Sequence, residues 1–439
     1  MTNYADLTNL VEILKNVYGE GLRNQFNDEK TTYNMFPKSE RSPKGLGYIF
    51  GLRYSRAQST GGRAESAKLP DPMTGVKDQG KIVPRYLYGT IRLTGPAIEA
   101  AKGNEAAFVD SLADEMDDIY QSIVVDMNRQ SHSDGFGKVG TVSAAFVPVI
   151  SAGTYDVVFS NDLGITYMQE GMLIDFFIAA GTSPVITCCG QRIKSINPAT
   201  KTVTFYGYAQ TWLTNHPDPT IAGYTNDATQ VAAGVIAIKM GSRPAAWTSA
   251  STPNEITGLA GIFDDGTLLA AFENITVATN PKWAAQIMSN SAIARELEID
   301  LLINACDLVR LRSGLTANQM LMNLGQRRKY ANLLIPEVRY QPTQLKGGYE
   351  TLTFSGGDGS VEIKVDPLAM PGEIKVYPTG KVEKYEMTAL GWGNLDGNQM
   401  LRRSGYDEWD LFLRLYTNLG CEQRNCLVKI SDLVEPAMY

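Results

Sequence analysis

The sequence predicts an α+β protein with an all-β insertion, and three observations point there. One long helical pattern runs from Asn104 to Gly135, short β-branched and aromatic runs fill residues 141 to 245, and mixed helices and strands lie on both sides. At 439 residues with 44 % hydrophobic content, the chain has room for two or three domains of about 150 residues each.

In the long pattern Phe108, Leu112, Met116, Ile119, Ile123 and Met127 recur at steps of three and four, the period of one helix face. Asp110, Asp114, Asp117 and Asp118 fall on the opposite face. Asn104 can cap the first free N–H groups, Glu105 suits the positive end of the helix dipole, and Gly135 ends the run. At about 1.5 Å per residue the helix spans about 40 Å, the width of a small domain. It reads as a spine.

Ahead of the spine, Leu7, Leu10, Val11 and Leu14 mark a short amphipathic helix at residues 4 to 18, followed by polar, aperiodic sequence to Gly47. Ile49–Tyr54 and Lys81–Leu93 read as strands, the second through Ile82, Tyr86, Tyr88, Ile91 and Leu93. Between them lies RAQSTGGRAESAKLPDPMTGVKDQG, with six Gly or Pro at Gly61, Gly62, Pro70, Pro72, Gly75 and Gly80 and almost no large apolar side chains. A loop of about 25 residues without a core is uncommon in compact domains unless it is functional. It reads as a long flap reaching away from its own domain.

After the spine, Tyr155–Phe159, Leu173–Ile178, Val185–Thr187 and Thr202–Tyr206 are separated by Gly, Asn, Asp and Pro turns, the pattern of a small self-contained β unit. INPATKTVTFYG reads as a hairpin turning at Asn197-Pro198. Further on, Ile293, Leu297, Leu301, Leu308 and Leu311 outline a helix closed by Gly314. Thr316 and Gln319 form a capping box for a second helix that stops before Pro336. Strands then read at Glu350–Phe354 and Val361–Val365, joined by a glycine-rich turn. Glu373–Tyr377 and Lys381–Met387 are joined through Pro378-Thr379-Gly380, and Trp409–Leu415 and Cys426–Ile430 close the chain.

The net charge of −7 conceals an asymmetry. Lys38 to Arg92 holds eleven Lys or Arg against four acids, and Glu99 to Asp134 holds nine acids against two basic residues. Two such segments are either solvated faces or complementary surfaces that meet.

Catalytic constellations are missing: the sequence has no GxxxxGK[ST] loop, GxSxG elbow, HExxH pair or cysteines at metal spacing. Five cysteines and two histidines, His132 and His216, favour reduced structural thiols over a disulfide framework or a zinc site. Asn394, Asp396 and Asn398 lack the Glu of a calcium loop and read as a turn. The expectation is a non-enzyme without metal or cofactor. An acidic chain whose basic stretch lacks interleaved aromatics excludes sequence-specific DNA binding. No apolar run spans a membrane, and MTNYADLTNLVEIL lacks the basic start and cleavage site of a signal peptide, so synthesis in a cytoplasm is expected.

IRLTGPAIEAAKGNEAAFVDSLADEMDDIYQSIVVDMNRQ leading into GFGKVGTV, then GLAGIFDDGTLLAAFENITVATNPKWAAQI, then GYDEWDLFLRLYTNLGCEQRNCLVKISDL follow one another in fixed order. In order and spacing they resemble the major capsid protein of tailed bacteriophages, the Hong Kong 97-type fold, in its subfamily with a β-rich insertion. The resemblance implies an N-terminal arm at 1–47, an extended loop at 48–93, a peripheral domain at 94–140 and 396–439, an inserted domain at 141–245 and an axial domain at 246–395. It implies hexamers and pentamers that close into an icosahedral shell around double-stranded DNA, assembled in the host cytoplasm. A separate scaffolding protein, a portal protein and decoration proteins are the implied partners. An encapsulin-like nanocompartment shell, or a β-rich phage tail protein, is the alternative.

On this reading the subunit interface pairs Arg53, Arg56, Arg63, Lys68, Lys77, Lys81 and Arg85 of one flap with Asp110, Asp114, Asp117 and Asp118 on the spine of the next copy. Lys68, Lys77 and Lys81 are expected to act as charges and not as covalent cross-link donors. The insertion is expected on the outer surface.

Overall fold

The computed structural model describes residues 31–43, 45–96, 105–147, 153–160, 165–178, 183–184, 189–207, 231–242, 253–338, 353–355, 359–393 and 400–436. The expected helix at 4 to 18, the strand at 185 to 187, Asn104 as cap, His216 and the 394 to 398 turn lie outside these residues.

The spine helix runs from Glu105 to His132. Beyond it Gly135 turns the chain at φ 92°, a conformation that costs glycine least. The helix packs on a four-stranded antiparallel sheet in which Glu408–Cys421 is central, flanked by Arg85–Thr94 on one side and Val382–Trp392 and Leu401–Arg402 on the other. Contact is close because Gly89 offers no side chain: a Cβ there would meet Ile123 Cδ1 at 2.7 Å and Ile119 Cγ1 at 3.0 Å. Ile123 and Met127 of the predicted face join this core with Leu87, Leu413 and Leu415.

The strand expected over Lys81–Leu93 is two strands. Pro84 has no N–H to donate, and the chain changes partners there: Lys77–Ile82 pairs with Tyr48–Arg53 as a two-stranded hairpin, and Arg85–Thr94 joins the four-stranded sheet. The phase also differs. Leu87, Ile91 and Leu93 point to the spine, whereas Tyr86 and Tyr88 are exposed, since residues an odd number apart in a strand face opposite ways.

Residues 138 to 239, which include most of the expected insertion, form a separate sheet in the order Lys138–Thr141, Ile236–Lys239, Leu173–Ile178, Gln191–Asn197, Thr202–Tyr206, Thr154–Val158, with Ser183–Pro184 beside Leu173–Ile178. Gln191–Asn197 and Thr202–Tyr206 make the predicted hairpin. Its core is aromatic, with Phe146 stacked on Tyr155 at 5.8 Å and Tyr155 on Phe205 at 5.6 Å. The unit is not sealed by itself: Leu368 and Met370, from outside the insertion, pack against this core, and Tyr167 donates to the Leu368 carbonyl at 2.9 Å.

The remaining sheet has six strands, ordered Gln286–Met288, Val428–Ile430, Ile374–Tyr377, Gln319–Met322, Ser360–Val365, Thr353–Ser355. Helix Ile299–Ser313 lies against it and ends at Gly314, φ 74°, whose N–H bonds the Arg310 carbonyl at 2.8 Å. Its buried stripe is Leu302, Ala305, Cys306 and Val309, while Ile293 and Leu311 of the expected face are exposed. Ile293 and Leu297 of the expected face precede the helix, Leu297 is buried, and Leu301 and Leu308 are half-buried against the same core.

Gln319 does not cap a helix. Gln319–Met322 is drawn into the sheet between Ile374–Tyr377 and Ser360–Val365, and the helix opens later, at Leu324, with Asn323 Oδ1 accepting from Gln326 N at 2.9 Å. That helix continues through Pro336 to Val338, because a proline in the last turn removes one hydrogen bond without a following turn to disrupt. The strands joined through Pro378-Thr379-Gly380 belong to different sheets: Ile374–Tyr377 to the six-stranded one and Val382–Trp392 to the four-stranded one. Among the described residues Cys189, Cys306, Cys421 and Cys426 are buried, and no helix is long and apolar enough to cross a membrane.

Candidate assembly surfaces

The flap is anchored by antiparallel pairing from Tyr48 with Ile82 to Arg53 with Lys77, and Phe50 lies over Gly80, where any Cβ would strike the ring. Phe50 reaches the core beside Trp283, centroids 6.2 Å apart. Past Tyr54 the loop runs without regular strands until Lys77, and nearly every side chain is exposed. Arg53, Arg56, Arg63, Lys68 and Lys77 are exposed, and Lys81 is half-buried at the root. Lys68 bridges Asp71 within the loop at 2.7 Å, and Arg63 donates to the Lys68 and Gly62 carbonyls at 3.1 and 3.3 Å. No ion pair forms at Arg53, Arg56 or Lys77 among the described residues.

Arg85 does not belong to the flap. It opens the strand Arg85–Thr94 on the spine-facing side, where burial pushes its guanidinium down to about 10.

On the spine Asp117 and Asp118 are exposed, Asp117 accepting from Gln121 at 2.7 Å. Asp110 and Asp114 lie on the helix, with side chains outside what is described. Among the described residues, none of the flap cations pairs with Asp117 or Asp118 of its own chain. Asp117 and Asp118 on the spine and Arg53, Arg56 and Lys77 on the flap are exposed.

Two buried polar nodes hold the spine's C-terminal end rigid. In the first, Arg129 Nε meets Asp126 at 2.9 Å and its Nη2 meets Glu255 at 2.6 Å, while Lys239 reaches Asp126 at 2.8 Å. Burial raises the Asp126 carboxyl, but Arg129 and Lys239 outweigh it and hold it well below the usual carboxylate range. This node ties spine, insertion and the chain after it. In the second, Asp366 accepts from Thr32 N at 3.1 Å, Thr32 Oγ1, Asn128 Nδ2 at 3.2 Å and Leu368 N at 2.8 Å. His132 Nε2 stands 3.3 Å from the same carboxylate, and burial keeps the imidazole pKa low against the pull of that carboxylate. Thr32, Asn128, His132 and Asp366 are all fully buried.

No protein-family profile matches the chain. No curated protein matches it in sequence. Solved structures do match in shape. The capsid asymmetric unit of Cyanophage A-1(L) aligns with a TM-score of 0.55 at 12 % identity, covering 97 % of this chain and 99 % of that one. The chain has the Hong Kong 97-type capsid fold. The capsid of an empty GTA particle also aligns, at TM-score 0.46 and 8 % identity over 94 % of each chain. So does the capsid of the Myoviridae phage XM1, at TM-score 0.42 and 8 % identity over 98 % of this chain and 99 % of that one.

Sequence reasoning missed part of what this chain exposes. Leu69 and Met73 in the flap are 80 % and 60 % exposed, and Tyr86 and Tyr88 are 50 % and 56 % exposed on the sheet face away from the spine. Tyr416 joins them, 5.0 Å from Tyr86 and accepting from Tyr88 OH at 3.3 Å. The signal was available in the strict two-residue alternation of Arg85–Thr94, which separates tyrosines from aliphatics.

Proposed function

We propose that this protein is the major shell subunit of a tailed-phage head, which associates through hexamers and pentamers into an icosahedral shell enclosing double-stranded DNA. The capsid fold supports a structural role. The observation that carries the reading further is the flap: exposed cations at Arg53, Arg56 and Lys77 and exposed apolar side chains at Leu69 and Met73 have no cover among the described residues. A second copy supplies that cover. The acidic spine face at Asp117 and Asp118 is the complementary surface, with Asp110 and Asp114 extending it toward the helix start.

Each exposed ion pair contributes only about 0.2–1 kcal/mol, so no single residue is essential. Repetition around a closed shell multiplies the term. A scaffolding protein, a portal and decoration proteins are further partners on this reading, and the subunit itself performs no catalysis. The test is electron microscopy of particles from the expressed chain, with Asp117→Lys combined with Asp118→Lys, across a salt series. Wild type forms closed shells that weaken toward 1 M salt, where the Debye length is about 3 Å, and the double reversal stays as folded subunits. Absence of shells from wild type supplied with scaffold would refute the role. Normal assembly of the double reversal at every salt concentration would refute the contact.

A further inference from the structure

The flap rests on a plinth made from residues 271 to 283. Ala271–Phe272 and Ile275–Thr276 form a small hairpin whose two tip residues, Glu273 and Asn274, both take positive φ, 53° and 65°. That turn favours Asn and Gly, and a glutamate at its first position is strained. The strain coincides with two tethers and one unpartnered oxygen. The Glu273 carbonyl accepts from Lys81 N of the flap at 2.9 Å, its Oε1 accepts from Cys421 N at 2.8 Å, and its Oε2 is buried with no partner among the described residues. Packing around the carboxyl is tight: a Cβ on Gly420 would meet Glu273 Oε1 at 2.8 Å, Ile82 Cδ1 at 2.6 Å and Tyr385 at 3.0 Å. Two more contacts continue the plinth, Asn280 Nδ2 to Asp78 at 2.9 Å and Lys282 Nζ to the Tyr54 carbonyl at 3.2 Å.

We propose that Glu273 is the positioning residue of the flap: its hairpin tip pins the flap's root to the end of strand Glu408–Cys421 and so fixes the direction in which the flap leaves the subunit. The pin is a property of the single chain; only its use in assembly rests on the shell reading.

The pin is also pH-sensitive. Burial pushes the Glu273 carboxyl well above the usual range, against the opposing pull of the Cys421 N–H and the Arg424 guanidinium, while Glu422 adds to the rise. The other groups at the site are Asp264 and Asp265 beside Arg424, the Cys421 thiol, Tyr385 from Val382–Trp392, and Lys81 from the flap. An acid whose pKa is raised on docking binds an extra proton in the docked state. Docking is therefore strongest below the ordinary glutamate value, about 4.3, and weakens as pH rises through the raised one.

Hydrogen exchange on the unassembled full chain from pH 5 to pH 9, corrected for intrinsic rates, tests this. In wild type, protection of Tyr48–Arg53 and Lys77–Ile82 falls with pH, by at most about tenfold per unit, the slope that one proton allows. Glu273→Gln keeps the neutral shape, holds its protection and shows no such slope. Glu273→Ala loses flap protection at pH 5 by about tenfold or more while protection within Ile299–Ser313 is unchanged, one docking bond being of that order. If wild type and Glu273→Gln trace the same profile, or if Glu273→Ala keeps wild-type flap protection, the proposal is overturned. Should Glu273→Ala not fold, the comparison of wild type with Glu273→Gln decides. Shell formation is scored separately, so failure of the pin and failure of the shell reading give different results.

Discussion

Replacing Asp366 by Asn removes one negative charge and no volume, at a carboxylate that holds three parts of the chain together. Asp366 follows strand Ser360–Val365, Thr32 opens the segment that leads to the flap, and Asn128 and His132 belong to the spine. The carboxylate receives Thr32 N and Oγ1 and Asn128 Nδ2 on Oδ2, and Leu368 N on Oδ1. An amide offers only one acceptor oxygen, so either orientation sets its NH₂ against a buried donor. One unsatisfied buried donor costs about 1–3 kcal/mol, and the lost charge on the remaining bonds adds to it, giving an expected loss of about 3 kcal/mol. Urea unfolding of the unassembled subunit measures the loss, and hydrogen exchange locates it, with Thr32–Phe36 opening first. The pH dependence gives a second check. Burial raises the Asp366 carboxyl, but His132, Thr32 and Leu368 outweigh it and hold it well below the usual range. Its contribution is thus present above the ordinary aspartate value, about 3.9, and is lost as pH falls toward the depressed one. His132, held low by burial, acts in the same direction from about pH 6.5 downward. A variant within about 0.5 kcal/mol of wild type near neutral pH, with unchanged exchange at Thr32–Phe36, would refute the node as a clamp.

Two further substitutions probe how the units are joined. Gly258→Ala places a Cβ on the Gln130 and Ser131 carbonyls at the end of the spine, where backbone cannot yield, so a loss of at least about 1–3 kcal/mol is expected in thermal or urea unfolding; unchanged stability would mean the two segments are not packed this closely. Tyr167→Phe deletes the bond to the Leu368 carbonyl and should cost about 1 kcal/mol, with faster exchange confined to the insertion and to residues 366 to 372. A global loss with no such localisation would count against the Leu368 loop as the insertion's seal.

The sequence by itself determined the elements whose cause is local. A long uninterrupted apolar stripe made the spine, Gly135 and Gly314 stopped helices through positive φ, and the Asn197 turn closed a hairpin. The charge contrast between flap and spine is likewise a property of composition, and order and spacing were enough to suggest the capsid fold. What only the tertiary structure decided is which competing local reading each segment adopts. Gln319 carries a capping signal, yet two flanking strands supply ladder bonds along Gln319–Met322 that a helix start could not match. Arg85 reads as a flap charge beside its neighbours. Pairing of Arg85–Thr94 with Glu408–Cys421, far along the chain, places it half-buried on the spine-facing side of the sheet instead. Asp366 and Glu273 carried no motif at all. Their roles arise where three chain segments converge, and convergence is set by long-range strand pairing, which local periodicity does not encode.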